Sequence, residues 1–436
     1  MAIHLKTASK ADGASVAAQT NIPAIVKGVI DDIRVSGDTA VKKYSAKFDR
    51  WSPGSFKLTK AETDASIARV PKQALEDIKT VQQNVRKFAL AQLASLKEFE
   101  VEISPGVHLG QKNIPIQAVG TYIPGGRYAL LASAHMTIVT AKTAGVPWVI
   151  ACTPPIKGEL PHATIAAAHL AGADEIFILG GVQAIAAMAV GTESISKVDF
   201  IAGPGNSFVA EAKRQLFGSI GIDLPAGPTE ILIVADEKAD YVIVATDLVS
   251  QAEHGPDTPA VLITTSRDLG QKVIEEISRQ LKTLATSDIA SVSWEAFGEV
   301  IVVDSLDEAY ILADKYASEH VQILTENPRQ ALEKMKSYGA LFLGDKTCVS
   351  YGDKVIGTNH VLPTKGAANF TGGLWVGKYL KTVTYQEVTS AEASAELGRL
   401  CGRAARTEKF EGHARSGDIR ALKFGGDHFE WAYGKL

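Results

Sequence analysis

Four short words in this chain carry polar side chains at spacings that could do chemistry. They are Ser250-Gln251-Ala252-Glu253-His254, Ser318-Glu319-His320, Gly357-Thr358-Asn359-His360 and Glu411-Gly412-His413. Gln251 and His254 stand three apart at the end of a predicted helix, so they share a face and could both reach one cation. The spacing is not HExxH, which sets a metallopeptidase aside. Glu319 and His320 close a predicted helix beside a strand. They offer a carboxylate and an imidazole together, as general acid–base chemistry requires. Any one of these histidines alone reads as a capped or hydrogen-bonded structural residue. Four such clusters point to chemistry without naming it. Cys152, Cys348 and Cys401 are far apart and form no CxxC pair, so neither a disulfide framework nor a thiolate zinc site is indicated. A metal here would need His, Gln, Asp or Glu.

Three predicted strands end in glycine turns: Gly125-Gly126, Gly180-Gly181 and Gly203-Pro204-Gly205-Asn206. Glycine lets a backbone approach a phosphate, and a following helix N-terminus favours its charge. A nucleotide or another anion is suggested. No full GxGxxG is present, and on pattern alone these read as ordinary strand-to-helix turns.

The elements that must position these words follow from periodicity. Residues 22–49 read as helix, with Ile25, Val29, Ile30, Ile33, Ala40 and Val41 at helical spacing, broken at Gly37-Asp38. A second helical stretch covers about 70–98. From Ile114 strands alternate with helices: strand 117–123, helix 132–144, strand 148–152, helix 160–171, strand 175–179, helix 182–190, strand 198–202 and helix 207–216. A second series begins at Glu230 and runs through helix 240–253, strand 260–264, helix 268–283, strand 299–303, helix 307–316, strand 321–324, helix 328–336 and strand 340–343. This alternation implies βαβ units and parallel sheets, an α/β fold. Residues 350–436 are patterned less clearly.

Composition narrows the partners. Lys plus Arg is 45 and Asp plus Glu is 49, a formal charge of −4, so nothing attracts nucleic acid wholesale. Hydrophobic residues at 46% and charged residues at 22% exclude a disordered chain. No apolar run is long enough to span a bilayer, and the first ten residues have no apolar core of signal-peptide length. The expectation is a cytoplasmic protein with no membrane contact.

The words Tyr122-Ile123-Pro124-Gly125-Gly126, Gly203-Pro204-Gly205-Asn206, Pro225-Ala226-Gly227-Pro228-Thr229-Glu230, Ser250 through His254, Ser318-Glu319-His320 and Asn359-His360-Val361-Leu362-Pro363-Thr364 occur in this order. Together they resemble the histidinol dehydrogenase family over about residues 20–420. The resemblance implies a zinc-dependent homodimer that uses two NAD molecules in turn, oxidising a primary alcohol through an aldehyde to a carboxylate. It implies two Rossmann-like open parallel-sheet domains and a small C-terminal extension reaching the partner subunit. The boundaries expected are 1–121 with 230–375 for the first domain, 122–229 for the second, on the NAD side, and 376–436 for the extension. By motif, Gln251, His254, Asp353 and His413 fall on the zinc ligands, a set that needs no cysteine. Glu319 and His320 fall on the acid/base pair. Tyr122, Gln183 and Asn206 fall on NAD contacts. Thr229, His320, Asp353, His360, Glu408 and His413 fall on substrate contacts, with Glu408 and His413 completing the neighbouring subunit's site.

Departures from the histidinol enzymes cluster at the substrate end. Four residues before Asp353 those enzymes carry a substrate-facing Glu; here the position is Val349. A carboxylate suits the amine of histidinol, and its loss also removes repulsion of an anion. The family's usual Ser is Ala132, flanked by Ser133 and His135, which could donate to an anionic group, as could Lys365. The segment Arg127 through Met136, Asp49-Arg50-Trp51-Ser52-Pro53 and the ending from His413 through Trp431 look like the sulfopropanediol 3-dehydrogenase branch. That branch oxidises 2,3-dihydroxypropane-1-sulfonate to 3-sulfolactate. The alternative is a histidinol dehydrogenase of histidine biosynthesis, and a more distant one is a non-catalytic binding relative.

Overall fold

The computed structural model describes residues 2–9, 21–125, 129–224 and 227–433. Its strands in chain order are β1 Ile3–Lys6, β2 Phe99–Ser104, β3 Val107–Pro115, β4 Ala118–Tyr122, β5 Trp148–Thr153, β6 Glu175–Ile178, β7 Phe200–Ala202, β8 Gly221–Ile222, β9 Ile231–Ala235, β10 Ala260–Thr264, β11 Gly298–Val302, β12 His320–Leu324, β13 Ala340–Leu343 and β14 Leu380–Val388. The chain divides into two units: Met1–Leu93 with Pro115–Tyr379, and Ala94–Ile114 with Leu380–Leu436.

The large unit carries two sheets. One is wholly parallel, in the order β6-β5-β4-β7-β8. The other runs β1-β11-β10-β9-β12-β13, parallel except that β1 lies antiparallel to β11. The winding is the same in both. The chain starts in a central strand, β4 or β9, adds two strands on one side, then returns to add two on the other. Strands covered by helices on both faces should be continuously apolar. Ile231-Leu232-Ile233-Val234-Ala235 is such a strand, and every one of its residues is buried. The expectation of an α/β fold with parallel sheets holds.

Two expected boundaries shift. The helix Ile22–Tyr44, grouped by sequence with the first domain, packs Val26, Val29, Ile30 and Ile33 into a core with Tyr122, Phe177, Ile185 and Ile201. Its apolar stripe therefore belongs to the five-stranded sheet, as does β4. The small unit takes in Ala94–Ile114 because β2 and β3 pair into a sheet ordered β14-β3-β2. The break expected at Gly37-Asp38 is a kink. Gly37 has φ +49°, a Cβ there would lie 2.4 Å from Glu193 Oε2, and the Asp38 N–H donates to that oxygen at 2.7 Å.

In the small unit the helices Ala391–Thr407 and Glu411–Gly425 run antiparallel, in backbone contact at Gly398 and Gly417. The guanidinium of Arg406 meets the buried Asp418 at 2.5 Å. The helices Lys60–Ala68 and Ser287–Phe297 and the strands β1, β2, β3, β8 and β14 lie outside the elements expected from periodicity. Among the described residues no helix is long and apolar enough to cross a membrane.

Candidate active site

The residues that open β9 and β12 meet because these two strands are neighbours in register, with His320 opposite Ile231. Thr229 and Glu230 precede β9, while Glu319 precedes β12 and His320 opens it. Behind them the helix Tyr241–Ala252 buries Gln251. The Gln251 amide donates to Thr229 Oγ1 at 2.6 Å. That bond obliges the threonine O–H to donate onward to Glu319 Oε2, at 2.5 Å. The Glu230 N–H reaches the same carboxylate oxygen at 3.0 Å.

His320 is buried, with Nδ1 2.9 Å from the Glu230 carbonyl oxygen. A carbonyl only accepts, so Nδ1 carries a proton and Nε2 is the reactive nitrogen. Nε2 is fully buried without a hydrogen-bond partner, 3.6 Å from Asp353 Oδ1. Nδ1 is also 3.5 Å from Glu319 Oε2. Burial pushes the Glu319 carboxyl up, against the pull of His320 and the Thr229 and Glu230 donors. Burial alone would lower His320, but the carboxylates of Glu319 and Asp353 outweigh it and raise the imidazole. For Asp353 burial works upward, and the adjacent His320 and His360 rings turn the balance well below the usual carboxylate range.

A cavity of about 110 Å³ is lined by Ser133, Thr229, His254, Glu319, His320, Asp353, Lys354 and His360, among others. His360 Nδ1 lies 3.0 Å from the Asp353 carbonyl oxygen, which leaves Nε2 to accept from Ser133 Oγ at 3.2 Å. Ser133 therefore reaches the cavity, but His135 does not line it. The helical stretch from Ala132 to Thr143 contains a π turn over His135–Val139. His135 is turned inward, and its Nδ1 is 3.1 Å from the Gln82 amide nitrogen. Val349 does not line the cavity either; it is 1% exposed and packs in the core with Phe342 and Leu324. Lys365 lines a different cavity of about 400 Å³, with Ser207 and Arg214.

A cation site was expected from Gln251, His254, Asp353 and His413. Among the described residues no group of three or more His, Cys, Asp or Glu closes around a metal-sized space. His254 Nε2 lies 3.9 Å from Asp353 Oδ2. Two ligands of one tetrahedral zinc, each at about 2.0–2.2 Å, would be roughly 3.3 Å apart, so a shift of tenths of an ångström joins them. The Gln251 amide nitrogen is engaged, which leaves its oxygen for a cation. The donor chemistry of these three fits zinc. Glu408 and His413 belong to the small unit, where both are exposed, His413 edge-on to Phe410.

The expected cofactor residues gather at glycine turns on the five-stranded sheet. The Gly181 N–H donates to Tyr122 Oη at 3.0 Å. Gln183 Nε2 donates to Asp49 Oδ2 at 2.9 Å, and the Gly180 N–H reaches that oxygen at 3.2 Å. Gln183 Oε1 is buried with no partner. Asn206 caps the helix Ser207–Leu216 through its side-chain oxygen, which accepts from the N–H groups of Phe208 and Val209 at 3.1 Å each. Asp49 and Lys354 are site neighbours that motif reading missed. Asp49 lay in a word read only as a branch marker, and Lys354 directly follows Asp353. The turn at Gly126 lies outside the described residues.

The family profile described as histidinol dehydrogenase matches residues 14–421. The chain is 58% identical over 400 residues to a histidinol dehydrogenase homolog of Shouchella clausii, covering 92% of this chain and 94% of that protein. It is 46% identical over 418 residues to the sulfopropanediol 3-dehydrogenase of Ruegeria pomeroyi, covering 95% and 96%. It is 41% identical over 367 residues to the histidinol dehydrogenase of Methanosarcina mazei, covering 84% of each. The crystal structure of histidinol dehydrogenase from Elizabethkingia anophelis superposes with a TM-score of 0.87 at 33% identity, over 96% of this chain and 95% of that one. The chain belongs to the histidinol dehydrogenase family, whose members are in general NAD-dependent, zinc-binding oxidoreductases.

Proposed function

We propose that this protein oxidises the primary alcohol of 2,3-dihydroxypropane-1-sulfonate through the aldehyde to 3-sulfolactate, in two NAD-dependent steps. The observation that carries the substrate is the charge of the cavity. Its lining carboxylates, Glu319 and Asp353, are already paired with the imidazoles of His254 and His320, while Lys354 and His360 also face it. Among the described lining residues no unpaired carboxylate is left for an amine, and an unpaired buried cation costs several kcal/mol. A fixed anion suits the Lys354 ammonium and the lack of a free carboxylate. The similarity to the Ruegeria pomeroyi enzyme over nearly the whole chain supports the same reading.

In this mechanism His320 Nε2 takes the alcohol proton while its Nδ1 stays tied to the Glu230 carbonyl. Tyr122, Gln183 and Asn206 would hold NAD, which would supply the hydride acceptor. Glu319, with Oε2 fixed by Thr229 and Glu230, uses its other oxygen to take a proton from the water that attacks the aldehyde. Gln251, His254, Asp353 and His413 would hold zinc, which would supply Lewis-acid polarisation of the substrate oxygens. Glu408 and His413 act across a homodimer, each completing the site of the other copy. Thr229, Ser133 and His360 hold the substrate's hydroxyl and anionic groups.

The identity to the Methanosarcina mazei enzyme favours a second reading, histidinol oxidation. Side-by-side kinetics on the zinc-loaded protein decide between them. NAD reduction is expected with the sulfonate and little or none with histidinol. A clear preference for histidinol overturns the substrate assignment and leaves the acid–base roles standing. Turnover with neither, together with failure to bind zinc, favours a binding relative.

A further inference from the structure

We infer that the buried ion pair Lys213–Asp223 is a positioning device for the turn Gly203-Pro204-Gly205-Asn206; the inference rests on reading that turn as a cofactor contact. The two side chains are 2% and 0% exposed and in direct contact. Lys213 Nζ donates to the Gly203 carbonyl oxygen at 2.9 Å. Asp223 Oδ2 accepts the Gly203 N–H at 2.7 Å, and Oδ1 accepts the Leu224 N–H at 2.7 Å. Both polar groups of one glycine are therefore held by the two halves of one ion pair. Only glycine fits there, because the φ of Gly203 is +126° and a Cβ would stand 2.1 Å from the Tyr122 carbonyl oxygen.

The location gives this clamp its function. Gly203 follows β7 beside β4, where the winding of the five-stranded sheet reverses, the crevice in which open parallel sheets take ligands. The next residue, Pro204, lines the catalytic cavity. One buried pair thus fixes both the turn expected to meet NAD and the Leu224 N–H, beside the cavity that Pro204 lines. Stability alone does not call for it, since apolar residues of similar volume commonly replace a buried ion pair without loss. What an apolar pair cannot do is bind both polar groups of Gly203.

The test replaces the pair together, Lys213→Met with Asp223→Leu, and reads the thermal midpoint, the NAD dissociation constant by calorimetry, and hydrogen exchange of the peptide containing Gly203. Expected are a midpoint near the wild type's, faster exchange at the turn, and NAD binding weakened at least about tenfold, since small misplacements of a binding group are costly. Ile277→Val, a change in the core of the six-stranded sheet, should leave NAD binding unchanged. Wild-type NAD affinity in the double variant overturns the inference. If that variant fails to fold, Asp223→Asn keeps the shape but gives up the charge and an acceptor. It should weaken NAD binding in the same direction, and unchanged binding again overturns the inference. If the wild-type protein itself binds no NAD, the cofactor reading falls instead. The exchange measurement then decides the clamp alone, and unchanged exchange at Gly203 refutes it.

Discussion

Protonation of His135 should be a main acid weakness of this fold. The ring is 1% exposed, and its Nδ1 accepts from Gln82, whose amide also donates to the Ala167 carbonyl at 2.8 Å. Burial, with the nearby His360 ring adding to it, pushes His135 down from 6.5 to about 4. The gap, 6.5 − 4, is about 2.5 pH units, or roughly 3 kcal/mol at 1.36 kcal/mol per unit. The folded pKa is the lower one, so between these values the unfolded chain binds more protons than the folded chain. The stabilisation is complete above the unfolded value and is lost as pH falls towards the folded one, with about 2 kcal/mol gone by pH 5. His135→Asn keeps an oxygen near the Nδ1 position and cannot titrate. Urea unfolding of both proteins at pH 7 and pH 5 gives the answer. The wild type should lose roughly 2 kcal/mol more than the variant between the two pH values. Equal losses would refute the reasoning, whatever the variant's stability at pH 7.

Three further outcomes are expected. Glu319→Gln should cripple oxidation of supplied aldehyde more than that of alcohol, measured as NADH formation in single turnovers; equal loss of both steps contradicts the division of labour with His320. Gln251→Ala, His254→Ala and Asp353→Ala should each retain less zinc after dialysis by mass spectrometry, whereas His135→Asn should retain the wild-type amount. Mixing inactive Glu319→Ala and His413→Ala proteins should restore some activity, because one site of the mixed dimer regains every group, and no recovery after confirmed subunit exchange counts against shared sites.

Much of the large unit was legible because its strands are buried on both faces and its helices are punctuated. Strands 260–264 and 340–343 and the helix 207–216 match the structure to the residue, and most other elements match within one to three. The small unit was not legible. Phe99-Glu100-Val101-Glu102-Ile103-Ser104 does alternate strictly, the pattern of a strand with one apolar face, yet every residue of it is exposed within its own chain. The alternation lies directly after the helical stretch 70–98, which masks it. At the site the pairing of Glu319 with His320 was plain in the words themselves. The Gln251–Thr229–Glu319 chain was not, because it joins residues 22 and 90 positions apart. His135 stands outside the cavity lining for a related reason. Sequence proximity to Ser133 says nothing about rotation, and one helical position turns a side chain by about 100°.

The two sheets share one winding order but serve the site from opposite ends. The five-stranded sheet contributes its carboxyl ends, where Tyr122 closes β4 and Gly203 and Pro204 follow β7. The six-stranded sheet contributes its amino ends, where Thr229 precedes β9, Glu319 precedes β12 and His320 opens it. The carboxyl ends of β9 and β12 form a different crevice, lined by Asp236, Thr325 and Glu326. A search confined to strand carboxyl ends would find the first half of the site and miss the second. The chemistry explains the division. On the proposed function, the half expected to meet NAD needs close backbone approach, which glycine turns after strands provide. The acid–base half needs a carboxylate and an imidazole held rigidly out of water. Strand starts meet that need, because the neighbouring backbone supplies the donor at Glu230 N–H that fixes Glu319 and the carbonyl that fixes the tautomer of His320.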